Sequence, residues 1–94
     1  MAVKLLKLTT GEEVVADIEA HENGYNLKYP VRIVATREGL GMVPWSPFLK
    51  EQKVRIPVEH VLFSAELDPE IESGYNEKFG NGIVIASSLS DLTR

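Results

Sequence analysis

A chain of 94 residues that is 44% hydrophobic and 26% charged has the composition of one small globular domain, neither disordered nor membrane-spanning. The absence of cysteine removes disulfides, thiolate zinc sites and cysteine nucleophiles, and with only His21 and His60 a metal site would have to be built mostly from carboxylates, so no cofactor is expected. A net charge of −4 opposes broad attraction to phosphate, so any nucleic-acid binding is expected to be local and largely base-directed.

The start, MAVKLLKL, is too short for a signal peptide, and the chain is expected to be soluble and cytoplasmic. Val3 to Leu8 reads as a first strand that ends at Thr9-Thr10-Gly11. Glu12 to Ala20 is a second strand, with Val14, Ala16, Ile18 and Ala20 on an inner face and Val15, Asp17 and Glu19 on a wetter one. Asn23-Gly24 marks a hairpin turn, because both residues tolerate positive φ. The third strand is long. It carries Tyr25, Leu27, Tyr29, Val31, Ile33 and Ala35 on one parity, and Pro30, which has no amide to give a ladder, puts its bend near Tyr29-Pro30.

Arg37 to Gly41 reads as a turn on the strength of its two glycines, followed by an irregular edge strand over MVPWSPFL and a charged turn at Lys50 to Lys53. Trp45 and Phe48 form either an aromatic platform or, more in keeping with buried aromatic area, part of a core or subunit contact. Val54 to Pro57, the corner Val58-Glu59-His60 and Val61 to Glu66 make two brief strands around one tight turn. At Asp68 the period changes. Asp68 as N-cap, Pro69 in the first turn and a stripe of Ile71, Tyr75 and Phe79 predict a helix over about 69–79, with Gly80 as its stop and Gly74 a weak point. Gly82 to Ala86 is a further apolar run, predicted as a short strand before a polar tail.

The fold class is therefore mainly β: a five- to six-stranded antiparallel SH3-like barrel over about 2–67, a helix over 69–79 and a C-terminal strand and tail over 82–94, in one domain spanning 1–94. Catalytic machinery is thin. No G-x-S-x-G elbow and no glycine-rich phosphate loop occur, Glu12-Glu13 follows a turn where carboxylates face solvent, and His21 and His60 sit in loops beside Glu22 and Glu59. The chain is not expected to be an enzyme. Its richest polar stretch is the loop from His21 through Glu22, Asn23, Gly24 and Tyr25 to Asn26, whose imidazole, two amides and phenol suit hydrogen bonding and stacking to unpaired bases, the alternative being that Asn23-Gly24 is only a turn and Tyr25 only core.

The run of strand, Gly11 turn, strand, polar loop, Asn26-Leu27 and strand resembles the first motif of Sm/LSm-like proteins, and Ile56-Pro57-Val58-Glu59-His60-Val61-Leu62-Phe63 resembles a degenerate second motif. With its V-P-W-S-P segment and C-terminal Y-N-E-K-F-G-N-G-I-V, nearly the whole chain is similar to the Sm-like proteins of tailed bacteriophages, particularly cyanophages. The resemblance implies a homo-oligomeric ring of about five to seven subunits, closed by strand pairing between neighbours, that binds single-stranded RNA in a host cell's cytoplasm. It places Asn26 at the base-reading position and Glu22 at its supporting acid. Two positions depart: Gly24 stands where a base-stacking residue is usual, and Pro57 where an arginine is. Recognition is then expected from Glu22, Asn23, Tyr25 and Asn26 together with the corner around Arg55 and His60. The alternative is a structural or assembly protein that uses the barrel only for protein contacts.

Overall fold

The computed structural model describes residues 2–79, which form six antiparallel strands in one sheet and a C-terminal helix. In chain order these are β1 (Ala2–Leu8), β2 (Glu13–His21), β3 (Gly24–Thr36), β4 (Gly39–Pro44), β5 (Lys53–Pro57), β6 (Val61–Ala65) and α1 (Pro69–Phe79). The strands lie in the order β4-β3-β2-β1-β6, and β5 pairs with the first part of β3. Among the described residues no helix is long and apolar enough to cross a membrane. The predicted stop at Gly80 and the strand predicted over Gly82 to Ala86 lie outside the described residues.

Local chemistry accounts for most joints. Gly11, at φ 97°, closes the β1–β2 turn and donates its amide to the Leu8 carbonyl at 2.9 Å. The expected corner is a 3-10 turn over Val58–His60 that joins β5 to β6. Asp68 caps α1, accepting the Glu70 amide on Oδ1 at 2.9 Å, and the first-turn acids Glu70 and Glu72 and the last-turn Lys78 suit the helix dipole.

The bend near Tyr29-Pro30 is a β-bulge. Between the pairs Asp17↔Lys28 and Val15↔Val31, β2 uses one residue and β3 uses two. Tyr29 adopts φ 51°, and Pro30 is fully buried, with its carbonyl accepting the Trp45 amide at 2.9 Å. The extra residue overturns the single parity expected along β3, because it sends side chains before and after it to opposite faces. Tyr25 and Leu27 join a core of Leu6, Leu8, Val14, Ala16, Ile18 and Ile56, whereas Tyr29, Val31 and Ile33 join a second cluster around Val15 and Tyr75. Val15, assigned to the wetter face, is buried because α1 covers that face. Ala20, assigned to the inner face, is exposed at the hairpin end.

Two more expectations are corrected. The turn after β3 is Arg37-Glu38 alone, tied by Thr36 Oγ1 donating to the Gly39 carbonyl at 2.7 Å, and Gly39 to Gly41 are already strand, paired with Thr36 to Val34. Trp45 packs partly buried against the first core, but Phe48 is 95% exposed.

Tyr75 joins the helix to the bulge. The ring is 1% exposed and tilted against Phe79, which stacks on Tyr29 at a centroid distance of 5.3 Å. Its hydroxyl accepts the Asp17 amide at 3.1 Å and donates toward the carbonyls of Lys28 at 2.9 Å and Tyr29 at 3.0 Å. The phenol thus supplies hydrogen bonds where the bulge interrupts the ladder. Burial drives its pKa well above the ordinary phenol range. The hydrogen bond from the Asp17 amide partly offsets this, and the charges of Asp17 and Tyr29 reinforce it. The unfolded phenol, with a pKa of about 10, loses its proton before the folded one, so the folded state holds more proton above that pH. Urea midpoints should be insensitive to this group through neutral pH and fall as pH rises above about 10, and Tyr75→Phe should remove that part of the alkaline loss.

Candidate nucleic-acid interface

The site is built where the β2–β3 hairpin leans on β5. The two-residue turn is Glu22-Asn23, with Glu22 at φ 54° and His21 paired to Gly24, so the position expected to supply positive φ is displaced by one. The Asn23 carbonyl accepts the Val58 amide at 2.8 Å, which fastens the hairpin end to the corner after β5. The register then sets Gly24 opposite Pro57, Asn26 opposite Arg55 and Lys28 opposite Lys53.

Arg55 organises this surface. Its Nη1 donates to Asn26 Oδ1 at 3.3 Å and its Nη2 to the His21 carbonyl at 3.0 Å. An arginine only donates, so the Asn26 oxygen must face it and the Nδ2 hydrogens are turned elsewhere. Gly24 has a steric role here. A Cβ at that position would lie 2.9 Å from the Ile56 carbonyl oxygen and 3.1 Å from Arg55 Cζ, so only glycine lets the guanidinium and β5 approach. Gly24→Ala should cost about 1–3 kcal/mol in urea unfolding through overpacking. It should also break the Arg55–Asn26 contact, seen as a shift of the Asn26 side-chain amide in NMR spectra.

Alternation along the two strands decides which other residues belong. Leu27 and Ile56 point into the core, so Asn26, Lys28, Lys53 and Arg55 share the outward face. Three cations and one carboxamide thus lie on this face, and β2 sets Asp17 opposite Lys28 and Glu19 opposite Asn26 on it. Lys28 and Lys53 stand directly opposite each other, with Asp17 opposite Lys28 on its β2 side. Lys53 Nζ has Glu51 Oε1 at 3.6 Å as its ion-pair partner. Neither lysine was legible as a site residue in the sequence, because their juxtaposition depends on the β3–β5 register.

The other expected site residues divide. Glu22 and Asn23 stand exposed at the hairpin end, where Glu22 Oε1 lies 4.0 Å from His21 Nδ1. Tyr25 packs against the core, on the face away from Asn26. His60 is exposed, but its described contact is a carbonyl that accepts the Thr9 amide at 2.9 Å, which ties the corner to the β1–β2 turn rather than to the Arg55 pair.

Elsewhere, Glu12 and Glu13 border a cavity with Arg32, Ile33 and Trp45. Thr10 Oγ1 donates to Glu12 at 3.1 Å, and Lys7 Nζ lies 3.4 Å from Glu13. Among the described residues no three His, Asp or Glu side chains gather as a metal site requires. No protein-family model matches the chain, and no curated protein matches it in sequence.

Proposed function

We propose that this chain is an Sm-like protein of the tailed-phage type, with an SH3-like barrel, that forms a closed ring of about five to seven copies and binds single-stranded RNA without catalysis. The observation that carries the reading is the outward face of the β3–β5 ribbon, where the Asn26–Arg55 pair and the Lys28–Lys53 pair lie side by side. A base stacks on the Arg55 guanidinium plane, the Asn26 Nδ2 donates to a base carbonyl, and the two lysines meet the neighbouring phosphates. Arg55 thereby serves where Gly24 and Pro57 leave the usual stacking positions vacant.

Ring formation is supported by two half-used strands. Among the described residues β5 pairs only with β3 and β6 only with β1, so within them each five-residue strand keeps one edge for a partner. Antiparallel pairing of β5 in one copy with β6 in the next extends the sheet across subunits, and repetition of the Asn26–Arg55 face around the ring raises weak single-site affinity by avidity.

Fluorescence anisotropy with labelled oligo-U and oligo-A at several salt concentrations tests the reading. Wild type should bind one of them at low salt, and Asn26→Ala should weaken binding by at least about tenfold, the value of one lost base contact. Absence of binding to either oligonucleotide at low salt contradicts it. The assembly-protein alternative draws on the exposed Leu40, Leu62 and Phe63, which lie on the two outermost strands of the sheet order. That alternative predicts an oligomer with no RNA affinity.

A further inference from the structure

The segment between β4 and β5 presents one phenyl ring to solvent and holds it there. Gln52 Nε2 donates to the carbonyls of Ser46 at 3.2 Å, Pro47 at 3.4 Å and Leu49 at 3.3 Å, closing the loop around Phe48. Glu51 and Gln52 both adopt positive φ, 56° and 51°, a strain that non-glycine residues accept only when their surroundings enforce it. A strained, cross-tied loop with a ring 95% exposed is a preorganised anchor with no socket around it among the described residues.

A socket of matching character lies on the same chain. Ile33, Leu40, Met42, Ile71 and Gly74 line a cavity of about 270 Å³ between β4 and α1, with Glu70 on its wall. An apolar cavity of roughly 150 Å³ already accepts benzene, so a phenyl ring has room. Gly74 is the informative member. It sits within α1, where glycine costs about 1 kcal/mol relative to alanine, yet an added Cβ would meet nothing closer than Met42 Cε at 3.5 Å. The fold itself would gain from alanine there, and what glycine provides is depth in the cavity. The charges agree too: exposed Lys50 follows Phe48 by two residues, and Glu70 faces the cavity.

We infer that Phe48 of one copy inserts into the β4–α1 cavity of the next copy in the ring, with Lys50 pairing to Glu70. This rests on the ring reading and adds to it a contact outside the strand edges. In antiparallel pairing of β5 with a neighbour's β6 the start of β5 meets the end of β6, which brings the Phe48 loop to the end from which the chain enters α1 and supplies Glu70 and Ile71 to the cavity. Anchor and socket occupy different surfaces of one chain, so the contact is head-to-tail and is satisfied throughout only when the ring closes.

The cysteine-free sequence permits a direct test. The double variant Phe48→Cys, Ile71→Cys should give a ladder of covalent multimers on oxidation, while either single variant gives none. Phe48→Ala should raise the dissociation constant of the assembly by at least about tenfold. Gly74→Ala should raise the thermal midpoint of the dissociated subunit while weakening assembly, and Lys50→Glu should be rescued by Glu70→Lys. An oligomeric wild type in which the double cysteine variant yields no ladder and Phe48→Ala assembles normally overturns this inference alone. A monomeric wild type overturns the ring reading and this contact with it.

Discussion

Tyr75→Phe is expected to destabilise the fold by about 3 kcal/mol, lowering the thermal midpoint by roughly 10–20 °C, although it removes a single oxygen. The ring stays, so its packing on Phe79 and on the Val15–Val31 cluster is retained. What disappears is the acceptor for the Asp17 amide and the donor to the carbonyls of Lys28 and Tyr29, all at the bulge under α1. Buried backbone groups left without partners cost about 1–3 kcal/mol each, and three are affected by one change. Urea unfolding followed by circular dichroism measures the effect. A change below about 0.5 kcal/mol would show that the phenol does not hold the bulge. The same variant should show more helix-region hydrogen exchange than wild type, since Tyr75 is, among the described residues, the α1 side chain that hydrogen-bonds to the sheet.

Arg55→Ala carries the largest expected functional effect, a loss of RNA affinity of at least about a hundredfold. It deletes the proposed stacking plane, a charge of the outward face, and the group that orients Asn26. Arg55→Lys is expected to fail as a substitute. One ammonium does not reproduce the planar fork that reaches both the Asn26 oxygen and the His21 carbonyl, and it offers no face to a base. Lys28→Ala and Lys53→Ala should behave differently from either. Each should weaken oligo-U and oligo-A alike and lower the slope of log affinity against log salt by about 0.7, as loss of one phosphate contact does. Equilibrium titrations at two or more salt concentrations separate these outcomes. Full rescue by lysine at position 55 would reduce Arg55 to a point charge and remove the stacking part of the account.

Features set by a few adjacent residues were legible in the sequence. Thr10-Gly11 marks the first turn, Pro30 the bend, Val58-Glu59-His60 the corner and Asp68-Pro69 the start of α1, and each acts through its own backbone chemistry. Features that depend on pairing were not. The switch of face along β3 follows from positive φ at Tyr29, which no local pattern announces, and it places Leu27 and Val31 in different cores. Gly39 and Gly41 read as a turn because glycine commonly breaks strands, yet pairing with β3 holds them extended.

The candidate site shows the same division. Asn26 and Arg55 were both identifiable as site residues, but they lie 29 positions apart and their pairing is delivered by register. Gly24 reads as a missing stacking residue when considered alone. In the fold it is the space into which Arg55 and the Ile56 carbonyl fit, so the missing side chain and the placing of Arg55 are one feature. Phe48 was grouped with Trp45 by composition, and only the Gln52-tied loop separates a core ring from an exposed one.

The central proposal is a ring whose Asn26–Arg55 faces bind RNA, and native mass spectrometry of the wild-type protein at micromolar concentration with oligo-U tests it most directly. The account predicts one closed oligomer of about five to seven subunits that carries bound oligonucleotide. A monomer, or an oligomer that acquires no oligonucleotide mass, would contradict it.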